Sequence, residues 1–160
     1  MDSDASLRQH LLALLNARQA HVTFDNAIAD IPPEVRGTRP DSVPYSAWEL
    51  LEHIRIAQHD ILDFCQNSDY TQLDWPDGYW PDTPAPPSDA AWAQSVRQVR
   101  ADRQAMSDLV VDPNTNLHAE IPHGDGQTVL REAMLVADHN AYHVGQLVTV
   151  RRLLGCWPPE

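Results

Sequence analysis

The stretch Ser46–Phe64, SAWELLEHIRIAQHDILDF, has one regular reading. Ser46 followed three residues later by Glu49 is a capping box, in which each side chain satisfies the other residue's backbone N–H. Behind it Leu50, Ile54, Ala57, Ile61 and Phe64 recur at spacings of four and three, an apolar stripe on one helix face. A single stripe needs partners to cover it, and three further segments offer them.

Upstream, Leu7, Leu11, Leu14, Leu15, Val22 and Ile28 keep helical spacing from about Asp4 to Ala29, where DIPPEVRGTRP ends any helix. Downstream, Ser88 is a plausible N-cap for a helix through Trp92, Val96, Val99, Met106 and Val110, ending at DPNTN. The last helix runs from about Thr128 to Leu154, with Gly155 and Pro158 as its stop. The expected fold is all-α: one four-helix bundle domain over residues 1–160 with long crossover connections. The segment LHAEIPHGDGQ reads as a turn or a strand fragment. DYTQLDWPDGYWPDTPAPPSD is unusually long for a connection inside a compact domain. Its Trp75, Tyr79 and Trp80 either cover the end of the bundle or wall a cleft.

Composition narrows the chemistry. A net charge of −12 argues against a nucleic-acid surface and against adsorption to an anionic membrane. All eleven basic residues are arginine, so there is no lysine for a Schiff base or a P-loop. Cys65 and Cys156 form no CxxC pair and show no local activating pattern. GxSxG and HExxH are absent, and GDGQTV lacks the third glycine of a dinucleotide fingerprint. A di-iron carboxylate bundle needs helical ExxH, whereas EIPH contains Pro122. MDSDASLRQH has no signal-peptide features, so the expected location is cytoplasmic.

What remains is histidine. In ADHNAYHVGQL, His139 and His143 are four residues apart, so two imidazoles can reach one cation from the same helix face. On a helical wheel they lie with Glu132 and Gln146 on a polar stripe beside the seam of Val129, Ala133, Val136 and Val144. Arg131, Asp138, Gly145 and Arg152 mark the expected solvent edge. His53 on the second helix flanks its own seam in the same way, while His59 falls opposite. His53, His139 and His143 would suit zinc, nickel or iron and leave positions open for water or substrate. The competing reading is histidines tolerated on a polar flank. Glu132 and Asp138 are candidates for orienting a ligand or moving a proton, or simply solvated residues. His118 and His123 lie before the last helix, near the mouth of any such site.

Three motifs carry a resemblance. SAWELLEHI, with Trp48 five residues before His53, resembles the second-helix signature of the DinB-like (DinB/YfiT-like) superfamily of metal-binding four-helix bundles. IPHGDGQTVLREAMLVADHNAYHVGQL is similar to its closing segment, with His139, His143, Gly145 and Gln146 at the matching positions. YWPD and PSDAAW before the third helix are also familiar there. The resemblance implies an up-down-down-up bundle, a divalent metal on His53, His139 and His143, and a homodimer. Some members are transferases or isomerases that use a low-molecular-weight thiol such as bacillithiol or mycothiol. It therefore implies a metal-dependent enzyme, an S-transferase or a hydrolase acting on a small molecule. The alternative is a stress-associated bundle that binds metal or a small ligand without turnover.

Overall fold

A computed structural model describes residues 3–158. The order is α1 (Ser3–Asn16), α2 (Phe24–Ile28), α3 (Ala47–Gln66), α4 (Asp89–Val111) and α5 (Val129–Leu153). Single 3-10 turns occur at Pro33–Val35 and Asp77–Tyr79. Among the described residues the only β pairing is an isolated antiparallel bridge between Glu120 and Thr128. The fold is the all-helical bundle that the periodicity predicts.

Hydroxyl caps start the helices where the sequence places them. Ser46 and Glu49 close both halves of the capping box of α3, at 3.2 and 2.8 Å. Ser88 accepts from the Ala91 N–H at α4, and Thr128 from the Arg131 N–H at α5. Gly155, at φ 68°, ends α5 in the left-handed conformation that glycine takes without a Cβ penalty.

The first helix is shorter than its spacing predicts. Instead of one helix from Asp4 to Ala29, α1 stops at Asn16 and α2 restarts at Phe24. Between them Arg18, Gln19 and His21 are exposed and only Val22 packs on the core. A helix gains most of its stability from an apolar face, and this stretch offers almost none. Thr23 then caps the restart, accepting from the Asn26 N–H.

Contacts fix the helix directions. Trp48 meets Trp92, and Gln58 meets Val99, so α3 and α4 run parallel. Leu50 and Ile54 share one cluster with Leu147 and Val150, and Leu62 shares the other with Ala133 and Val136, so α5 runs antiparallel to α3. Asn16 bonds Ser107 while Arg8 bonds the Val110 carbonyl, so α1 is antiparallel to α4. The result is up-down-down-up. Parallel neighbours require a crossover, which is why residues 67–88 are long.

Two apolar clusters fill the bundle. One joins α2, the start of α3, the start of α4 and the end of α5, around Leu50, Ile54, Val99 and Leu147. The other joins α1 to the opposite halves, around Leu62, Met106, Leu117 and Val136. Between them lies a buried polar pair. Gln58 donates to the Val99 carbonyl (2.7 Å) and accepts from Asn140 Nδ2 (2.7 Å). Arg151, only 2% exposed, donates to the Ala27 and Cys156 carbonyls and stacks over Trp157, tying α5 to α2.

Candidate metal centre

The polar stripe on α5 turns inward. Glu132 (2% exposed) and His143 (7%) are buried, and His139 is half-buried; the exposed edge holds Arg131, Asp138, Gly145 and Arg152, as the wheel predicts. From α3, His53 (5% exposed) meets this stripe. One ring nitrogen from each of His53, His139 and His143 lies within 4.8 Å of the others. Nε2 of His53 and Nε2 of His139 stand 3.1 Å apart. Zinc–nitrogen bonds of about 2.0–2.1 Å at a tetrahedral angle place ligand nitrogens roughly 3.3 Å apart. The three rings are positioned to bind a metal ion.

The outer nitrogens explain which atoms face inward. His53 donates through Nδ1 to the Tyr79 carbonyl (2.8 Å), and His143 through Nδ1 to Gln146 Oε1 (2.7 Å). A neutral imidazole that donates at Nδ1 keeps its lone pair at Nε2. Such outer partners fix the tautomer and orientation of metal-ligating histidines. His139 lacks one: its Nδ1 is enclosed with no hydrogen-bond partner among the described residues.

Burial also sets the charge state. It lowers the pKa of His53, partly opposed by the Tyr79 carbonyl. His139 falls to about 4, through burial and then the nearby His53. His143 falls to about 4, through burial and then His139 and His53. All three rings are therefore neutral at pH 7, the form that ligates.

The connection 67–88 builds the other wall. Trp80 stacks on His53, with centroids 4.0 Å apart and planes 4° apart. The Tyr79 and Tyr70 hydroxyls both donate to Asp60, at 2.8 and 3.0 Å, anchoring the connection to α3. Trp75, Tyr79 and Trp80, with Tyr45 and Tyr142, line a cleft of about 690 Å³ onto which the three histidines open. Of the two readings for Trp75, Tyr79 and Trp80, the cleft wall holds.

The remaining candidates lie elsewhere. Glu132 accepts from Arg131 (2.7 Å) and faces a second recess, with no hydrogen bond to the three histidines. Asp138 is exposed, and its carboxylate acts on His139 only as a nearby charge. His59 is exposed and pairs with Asp102 on the α4 side, opposite the cleft. His123 donates to the Phe64 carbonyl (2.8 Å) and lines the second recess; His118 is exposed. Arg55, two residues after His53, is held by Glu52 and does not line the cleft. Burial and then the Glu132 carboxylate push the Cys65 thiol up to about 12, so it is no nucleophile near neutrality. Spacing gave no hint of the Tyr79 carbonyl or the Trp80 stack. Both come from a connection without periodicity, and every residue carries a carbonyl.

A family model described as the DinB superfamily matches residues 7–147. No curated protein and no solved structure gives a significant match. No described helix is long and apolar enough to cross a membrane. The match spans α1 through most of α5, including all three histidines, and on that evidence the chain belongs to the DinB superfamily.

Proposed function

We propose that the protein is a metal-dependent enzyme with one divalent ion, zinc, nickel or iron, on His53, His139 and His143. The reaction we favour is group transfer to a small thiol, or hydrolysis, in the aromatic cleft. The observation that carries this reading is the convergence of three neutral imidazoles on one point at the floor of a cleft. A fully enclosed structural site has no use for such a cleft, whereas a catalytic site needs open positions. Zinc in that position would draw the pKa of a water or thiol bound to it toward neutrality.

The chain's own residues do the rest. The Tyr79 carbonyl and Gln146 hold two rings with Nε2 inward. Trp80 covers one face of His53 and keeps water from it. Tyr45, Trp75 and Tyr142 offer flat apolar surfaces to the substrate. Among the described residues no cysteine lines the cleft, which favours water or a free thiol as the nucleophile. The family resemblance adds a homodimer to this reading, and the location that goes with it is the cytoplasm.

Metal analysis of purified protein and of His139→Ala tests the proposal. Wild type should hold about one equivalent and His139→Ala far less. A wild type that takes up no divalent metal from any of the three ions sinks the reading. Thiol conjugation to a panel of electrophiles, with and without chelator, then separates an enzyme from a binding module.

A further inference from the structure

The cleft does not end at the histidines. A second recess of about 310 Å³ shares Asp60, Ile61, Tyr79 and Leu135 with it, so the two adjoin, and together they are the trough between α3 and α5. Along α5, Glu132, Leu135 and His139 follow one another down one face; along α3, Asp60, Ala57 and His53 do the same. Because the helices are antiparallel, the two carboxylates share one end of the trough and the histidines the other. Seven residues at 1.5 Å each separate them by about 10 Å.

The carboxylate end is built for a charge. Glu132 is 2% exposed, yet only Oε1 is engaged, by Arg131. Oε2 makes no hydrogen bond among the described residues and is not sealed off, so it opens on the recess that Glu132 lines. For a carboxylate oxygen that opens on a recess without a protein partner, a cationic donor is the strongest complement. Asp60 and Asp125 line the same recess, against a single cation, the half-exposed Arg131. Between the ends, Leu135 and Ile61 supply an apolar floor.

We infer that the trough binds an elongated small molecule with a guanidinium or ammonium group at Glu132 and Asp60. Its apolar middle crosses Leu135 and Ile61, and its reacting group lies about 10 Å away at the histidines. Only the last clause rests on the metal reading.

Alkylguanidinium, alkylurea and alkylcarboxylate probes of equal chain length test the cationic end. Tryptophan fluorescence and calorimetry on the full chain give the readout, since Trp75 and Trp80 line the cleft. The guanidinium should bind about tenfold tighter than the isosteric urea, and the carboxylate weakest. Glu132→Gln should erase that preference. Arg131→Ala, with its fold checked by circular dichroism, should strengthen guanidinium binding several-fold by freeing Oε1. Equal affinity for urea, a preference for carboxylate, or weaker guanidinium binding by Arg131→Ala overturns the inference. Zinc content is measured on the same protein. Zinc without guanidinium preference sinks this inference alone, and guanidinium preference without zinc sinks the metal reading alone.

Discussion

Two long connections close this bundle, and they are built differently. Residues 112–128 are held by their own turns, with Thr115 bonded to Asp112, Ala119 to Asn116 and Ile121 to Gln127, and by Arg8, which donates to the Asp112 and Thr115 carbonyls. Leu117 and Ile121 are the parts that enter the core. Residues 67–88 have backbone turns as well, Gly78 to Asp74 and Tyr79 to Pro76 among them, but their side chains reach the site, with two phenols on Asp60 and an indole on an imidazole. The first connection serves the fold. The second delivers a carbonyl and a ring to His53, and so serves the site.

That division can be broken at either end. Leu117→Ala, at 1% exposure in the α1-side cluster, should cost about 2–5 kcal/mol in denaturant unfolding. Its zinc affinity, measured by competition with a chromophoric chelator, should stay within about twofold of wild type. Asp60→Asn leaves one carbonyl acceptor for two phenols, at roughly 1–2 kcal/mol of stability. It should lower zinc affinity about tenfold, since Tyr79 is no longer held against His53. If Leu117→Ala loosens zinc more than Asp60→Asn does, the comparison fails.

Acid sharpens the same contrast. In the unfolded chain His139 and His143 titrate near 6.5, but in the fold only near 4. Between those values the unfolded state binds more protons, so stability is lost as pH falls from 6.5 toward 4. The melting temperature of metal-free protein should drop over that window and be insensitive to these two groups above it. Gln at both positions should flatten the drop. The smallest effect is expected at His123→Ala: a change within about 0.5 kcal/mol and no effect on zinc, because this exposed ring bonds only the Phe64 carbonyl.

The helices and the three ligands were legible because each leaves a local or periodic mark. Ser46, Ser88 and Thr128 announce helix starts, and His139 and His143 share a face by spacing alone. The break after Asn16 was not legible, because Leu15, Val22 and Ile28 keep their spacing across it. Glu132 misled in another way. The wheel placed it on the stripe of His139, correctly, but two turns along an axis become a different recess. A wheel projects out distance along the helix, and here that distance separates two kinds of chemistry. Tyr79 left no trace, since its contribution is a backbone atom brought from a crossover.

The buried Gln58–Asn140 pair bears on assembly. Apolar clusters above and below it would tolerate α5 sliding along α3, because leucines and valines pack in more than one way. An amide clasp does not: a slip of one turn, about 5.4 Å, would strand both side chains in the core. One alignment of the two helices lets Asn140 donate to Gln58, and in that alignment His53 faces His139. The clasp is thus a gauge that sets where the imidazoles meet, without touching anything they hold.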